Sequence, residues 1–296
     1  MDDKAPPRPS TGPDTSHTDS KLKIYFLPNI LTGGNLFCGF VALTYIVQAK
    51  RADLEAGNYF DIKIALFFIL LACIFDLLDG RVARMGGAES PFGREFDSLA
   101  DIISFGVAPA FLVYRIVLKD VFTVHQEIGW FIASIYLLCG AFRLARFNCL
   151  AAQAGSGGGK EFLGFPIPAA AGLVASLTLF LMWLDENRYM DERFSHSRWR
   201  YLLPGMMLFL SWMMVSEVKY PTFKKLDLRA TKTFTKTLVA VLFIGAVVIL
   251  REKILTFVLP VFFTAYLLYG FIRPRVSRRV RYEIEDEDDE EPSAPA

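Results

Sequence analysis

Apolar residues in this chain fall into blocks of roughly 17 to 24 positions, about the length a helix needs to cross a hydrocarbon core about 30 Å thick. The blocks predict membrane-spanning helices at about 24–47, 61–78, 98–118, 129–148, 166–184, 201–216, 235–250 and 254–272. The sixth is short and carries Pro204, so seven spans is the alternative count, although membrane helices tolerate proline better than soluble ones do. The expected fold is an all-α integral membrane protein, a polytopic bundle of about eight transmembrane helices in a lipid bilayer.

Composition agrees once the pattern is known. A length of 296 residues would by itself admit one large or two soluble domains, but 53% of the residues are hydrophobic, 27 of them phenylalanine, and they come in blocks. Residues 1–20 are rich in Pro, Ser, Thr and Asp and predict a disordered tail. Lys21 and Lys23 then precede a first block too long for a signal-peptide core, and further spans follow it, so it reads as a retained helix. After Tyr282 the run EIEDEDDEEPSAPA is a like-charge block that should stay solvated and takes no catalytic role. GSGGG at 155–159 reads as a flexible loop.

The net charge of +1 hides segregated ends. Basic residues crowd the loop after the sixth block (Lys219, Lys224, Lys225, Arg229, Lys232, Lys236) and the flank of the last (Arg273, Arg275, Arg278, Arg279, Arg281), which places both on the cytoplasmic side. With eight spans, both termini and the loops after the second and fourth helices share that side. The opposing loop at 185–200 carries four arginines against this trend, mixed with acidic residues. No nucleic-acid partner is expected. Cys38, Cys73, Cys139 and Cys149 form no CxxC pair and read as small hydrophobes, and His17, His125 and His196 are too scattered for a histidine metal site.

The chemistry concentrates in DLLDGRVARMGGAESPFGREFDSLAD, residues 76–101. Asp76 and Asp79 share a face at the end of the second helix, and Asp97 and Asp101 share one at the start of the third, joined by a short connection. Four carboxylates at the edge of a low-dielectric slab repel one another unless a cation sits among them. Carboxylates without His or Cys are hard donors that select Mg²⁺ or Mn²⁺, and two such ions could share the four groups in phosphoryl chemistry. Gly80 and Gly93 let a ligand approach the backbone, Ala83 keeps that face open, Arg84 can fork onto phosphate, and Ser90 offers a hydroxyl. Helix capping would account for Asp97 but not for Asp76 and Asp79, since a helix C-terminus prefers cations. An ion-translocating site is the other reading, but such sites lie near the midplane on broken helices, whereas this cluster lies at one surface.

The spacing D-x2-D-G-x2-A-R-x8-G-x3-D-x3-D resembles the signature of the CDP-alcohol phosphotransferases at every fixed position. Members of that family are membrane enzymes that move a phosphatidyl or similar group from a CDP-linked donor to an alcohol and release CMP. The resemblance implies that Asp76 and Asp97 bridge two metal ions, that Asp79 completes one site and Asp101 the other, and that Asp101 is also the catalytic base. It further implies that Gly80, Arg84 and Ser90 bind the CDP donor, with Pro28 and Asn29 in FLPNILTGGN as further donor contacts. It also implies the family's fold and a homodimer.

The acceptor must be read elsewhere. PNILTGGNLFCGF, CGAFRLARFN (139–148) and FLGFPIPAAAG (162–172) resemble segments of the bacterial and archaeal phosphatidylserine synthases of that family, so CDP-diacylglycerol and L-serine are the implied substrates. The likeness runs over about residues 24–175. It suggests a catalytic core at 21–175, further transmembrane helices at 176–274, and a basic then acidic disordered tail at 275–296. Arg143 and Arg146, at the end of the fourth span on the aspartates' side, either favour the helix dipole and the membrane charge rule or recognise an anionic group such as the serine carboxylate or a donor phosphate, with Asn148 as a polar helper. Glycerol 3-phosphate is the rival acceptor, because it too wants cationic residues.

Overall fold

The computed structural model describes residues 16–86, 90–122, 124–153, 161–189, 198–221 and 254–270. Seven of the eight expected spans correspond to helices there; the expected span at 235–250, the glycine loop at 155–159 and the C-terminal tail lie outside the described residues. Helix α1 covers Ser16–Gln48, α2 Arg51–Ala56 and α3 Phe60–Gly86. A long rod follows: α4 (Pro91–Asp101), a π-helical segment (Ile102–Val107), α5 (Ala108–Val113), a second π segment (Tyr114–Leu118) and α6 (Lys119–Val121). The remaining helices are α7 (Gln126–Gln153), α8 (Ile167–Glu186), α9 (Leu202–Val215) and α10 (Thr256–Gly270).

Two details depart from the sequence expectation. Helix α1 starts at Ser16, inside the stretch expected to be a disordered tail, and no proline or glycine interrupts the chain from Ser16 to Leu27. A three-residue strand, β1 (Glu161–Leu163), also pairs antiparallel with β2 (Lys219–Pro221), Phe162 opposite Tyr220, and ties the α7–α8 connection to the end of α9.

Among the described residues, four helices are long and apolar enough to cross a membrane: Phe26–Gln48, Phe92–Val121, Gln126–Leu150 and Ile167–Glu186. Helix α3 matches them in length but carries Asp61, Lys63, Asp76 and Asp79 towards its ends. With 14 residues, α9 is only about 21 Å long, so it and α10 are shorter apolar helices rather than full spans by length.

The bundle has two unlike ends. At one, the guanidinium of Arg115 donates to the Ala49 carbonyl (2.7 Å), the Tyr59 hydroxyl donates to the buried Asp185 (2.8 Å), and Lys63 pairs with Glu186 (2.6 Å). These contacts staple the ends of α1, α3, α8 and the second π segment. The four aspartates lie at the other end.

Close approach of α1 to the π segment Ile102–Val107 holds the aspartate end together. A side chain at Gly39 would place its Cβ 2.8 Å from the Ser104 Cα, so only glycine lets the two backbones meet. Pro109 has no N–H to offer the Phe105 carbonyl four residues back, and the buried Tyr136 hydroxyl of α7 donates to that carbonyl instead (3.2 Å). Gly39→Ala should therefore destabilise the protein by about 1–3 kcal/mol through overpacking. Gly33→Ala, where a Cβ meets nothing within 4 Å, should be neutral or stabilising by up to about 1 kcal/mol from helix propensity. Thermal unfolding in detergent checks this, and equal melting temperatures for the two variants would contradict it.

Candidate active site at the aspartate end

Helix α3 delivers Asp76 and Asp79 and α4 delivers Asp97 and Asp101, but the bundle does not treat the four alike. Asp76, Asp97 and Asp101 each contribute a carboxylate oxygen to a group in which all lie within 4.8 Å of one another. Asp79, three residues beyond Asp76, turns towards α1, is buried, and accepts a hydrogen bond from the Thr32 hydroxyl (2.8 Å). Thr32 Oγ1 also lies 3.1 Å from the Pro28 carbonyl, which ties the expected donor segment of α1 to the aspartates.

The trio fits a divalent cation. Asp101 is buried, and Asp97 Oδ1 is buried without a hydrogen-bond partner. Convergent carboxylate oxygens in a low-dielectric setting repel one another, and a hard cation is the partner that such a donor set accepts.

Helix α1 supplies the polar groups that surround the acids. Asn35, buried one turn after Thr32, donates its amide N–H to Asp101 Oδ1 (3.1 Å), and the Ser104 hydroxyl donates to the Asn35 carbonyl (2.9 Å). The sequence reading missed Thr32 and Asn35. The available signal was a polar residue every third position, Asn29, Thr32 and Asn35, along an otherwise apolar first span.

Ser90 caps α4: its hydroxyl oxygen accepts from the Gly93 N–H (2.9 Å), which leaves its O–H as a donor for a ligand. A Cβ at Gly93 would come within 3.3 Å of Asn29 Oδ1, so the glycine keeps α1 and α4 in contact beside the expected donor residues Pro28 and Asn29. Gly80 and Ala83 are half-buried on α3, and Arg84 belongs to the same helix, its side chain outside the described residues.

The two arginines of α7 part company. Arg143 is 7% exposed, lies in electrostatic reach of Asp101 and Asp76, stands 6.0 Å above the Phe147 ring, and has no hydrogen-bond partner at Nε. Arg146 grips the end of α9 instead, donating to the carbonyls of Met214 (3.3 Å), Val215 (2.9 Å) and Ser216 (3.2 Å), groups that a helix terminus leaves unpaired. Asn148 donates to the Ser98 hydroxyl (2.9 Å) and links α7 to α4. From α10, Tyr266 packs on Phe165 with ring centroids 5.7 Å apart and lies in electrostatic reach of Arg143; the sequence offered no signal for it.

The sequence profile of the CDP-alcohol phosphatidyltransferase family matches residues 25–216, which is most of the chain and all of the aspartate constellation. The chain belongs to this family. Within it, the chain is 34% identical over 250 residues to the CDP-diacylglycerol–serine O-phosphatidyltransferase of Helicobacter pylori, covering 84% of this chain and 91% of that one. It is 32% identical over 200 residues to the Bacillus subtilis protein of the same name, covering 68% and 92%. The archaetidylserine synthase of Methanothermobacter thermautotrophicus is 32% identical over 206 residues, covering 69% and 73%.

For this CDP-alcohol phosphatidyltransferase, the two arginines make separable predictions. Arg146→Ala removes the donor that serves the end of α9 and should cost about 1–2 kcal/mol of stability. Mn²⁺ binding should stay at the parent level. A variant that melts like the parent would dismiss the grip on α9.

Proposed function

We propose that this enzyme transfers the phosphatidyl group of CDP-diacylglycerol to the hydroxyl of L-serine, forming phosphatidylserine and CMP. The observation that carries this reading is the convergence of Asp76, Asp97 and Asp101 beside a buried arginine, on a signature for CDP-linked donors. Serine as acceptor is supported by the word shared among the names of the three relatives.

In the reaction, the serine oxygen forms a bond to the lipid-bearing phosphorus while the bond from that phosphorus to the CMP oxygen breaks, and CMP leaves with the electron pair. Asp101 takes the proton released from the serine hydroxyl; an alcohol is a poor nucleophile until a base accepts that proton. Asp76, Asp79, Asp97 and Asp101 would hold two divalent cations, Mg²⁺ or Mn²⁺, which when bound supply charge stabilisation for the diphosphate and the leaving group. Pro28, Asn29, Gly80, Ala83, Arg84, Ser90 and Gly93 form the donor side, with the backbone open at the glycines and the Ser90 O–H free to donate.

Arg143 receives the serine carboxylate. Its charge is buried next to the acids, and its unpaired Nε–H asks for an anionic acceptor. Arg146 and Asn148 act at one remove by holding α9 and α4 in place. The basic loops support a site on the cytoplasmic face of the cytoplasmic membrane, where the lipid tails would stay in the bilayer and serine would enter from water. The family resemblance adds a homodimer.

An acceptor panel tests the reaction. Purified protein in detergent, given CDP-diacylglycerol, Mn²⁺ or Mg²⁺ and L-serine, should release CMP and form phosphatidylserine; CMP release with glycerol 3-phosphate alone would replace serine as acceptor. Asp101→Asn should lower turnover by about 10² to 10⁴ while still binding the donor, and near-normal turnover would remove Asp101 as base. Arg143→Ala should raise KM for serine by about 10- to 100-fold, the equivalent of one charged hydrogen bond. A serine KM equal to the parent's would take Arg143 out of acceptor recognition.

A further inference from the structure

Asn35 belongs to no part of the catalytic signature, yet among the described residues its side chain is the hydrogen-bond donor to the proposed base. Its side chain is 0% exposed. The amide N–H donates to Asp101 Oδ1 at 3.1 Å, and the same residue's backbone carbonyl accepts from the Ser104 hydroxyl at 2.9 Å. Asp101 is the last residue of α4 and Ser104 lies in the π segment directly after it, so one residue of α1 grips the rod at two points three residues apart. Gly39, one turn further along α1, permits that grip by bringing the backbones together at Ser104.

The other end of the amide sharpens the point. Asn35 Oδ1 is buried with no hydrogen-bond partner. Turning the amide over would not relieve this, because it would set the carbonyl oxygen against the Asp101 carboxylate. A residue kept only for packing would have no reason to bury an unmatched oxygen; Leu has nearly the same volume and no polar atoms. The amide is held in this orientation by what its N–H does for Asp101.

We propose that Asn35 is the positioning residue for Asp101: it occupies Oδ1 and fixes the carboxylate plane, so that Oδ2 is left to take the acceptor's proton and the group stays aligned with Asp76 and Asp97. The inference rests on the role given to Asp101 above. Neighbours that orient a metal-binding carboxylate typically change metal affinity or activity about 10- to 100-fold when removed.

The test is Asn35→Leu, which deletes the side-chain hydrogen bond to Asp101 at nearly constant volume and keeps the backbone carbonyl that accepts from Ser104, read by Mn²⁺ titration with electron paramagnetic resonance on purified protein in detergent and by steady-state kinetics. Mn²⁺ affinity should weaken by about 10-fold or more and kcat should fall by about 10- to 100-fold, with KM for CDP-diacylglycerol within about twofold of the parent. Parent-like Mn²⁺ affinity in a folded Asn35→Leu protein overturns the proposal. If Leu does not fold, Asn35→Ala decides it: it removes the amide without adding bulk, so Mn²⁺ affinity should again weaken by about 10-fold, and parent-like affinity overturns the proposal. Thr44→Ala, on the same helix with its hydroxyl donating to the Phe40 carbonyl, is the unaffected control. Should the parent bind Mn²⁺ yet make no phosphatidylserine, the function proposed above fails while the Mn²⁺ readout still judges Asn35.

Discussion

Like charges gathered in a medium that solvates them poorly set the terms for this molecule. Asp76, Asp97 and Asp101 bring carboxylate oxygens within 4.8 Å of one another at the end of an apolar bundle, an arrangement that stands only if hydrogen-bond donors and cationic partners are supplied at the same place. Much of the local architecture meets that need. Thr32 serves Asp79, Asn35 serves Asp101, and Arg143 brings a buried positive charge alongside.

Those partners come from different parts of the chain, so backbones must approach closely for short polar side chains to reach the acids. Glycines in α1 make that approach. Gly39 lies against Ser104, and Gly34 lies against the Phe75 ring next to Asp76, so α1 is wedged between the two helices that carry the acids. The π segment begins directly after Asp101, and such widened turns recur at functional sites because they redirect side chains that an unbroken α-helix would hold on another face. The stapled far end, with Tyr59 on Asp185 and Arg115 on the Ala49 carbonyl, fixes helix depth so that the acid end meets in register.

Arg143 and Arg146 show how one helix end divides its labour. At three residues apart they share a face in sequence, yet one guanidinium is buried within electrostatic reach of the acids and the other caps α9. The clasp around Arg146, with the short ribbon of β1 and β2 and Gly164 at φ 79°, joins the α7–α8 connection to the end of α9 beside the site. Tyr266 reaches the same place from α10, beyond the residues that the family profile matches, so the wall near Arg143 is built partly from the chain's own C-terminal helices.

The sequence by itself determined the class of the protein and the heart of its chemistry. Apolar blocks of spanning length dictate membrane helices, because bilayer thickness is a length that a run of residues can be counted against, and seven of the eight expected spans coincide with described helices. The aspartate spacing was legible for a similar reason: it lies within a single helix–loop–helix stretch, where helical periodicity alone says which side chains share a face. Tertiary packing decided everything that joins distant segments. That Asp79 turns to Thr32 while its three fellows converge, that Asn35 holds Asp101 across 66 residues, that Arg143 is buried within electrostatic reach of the acids while Arg146 caps a helix 68 to 70 residues away, and that Tyr266 comes near at all depend on helix rotation and depth. Those are set by glycine contacts and terminal staples between segments far apart in the chain, which periodicity within one segment does not encode.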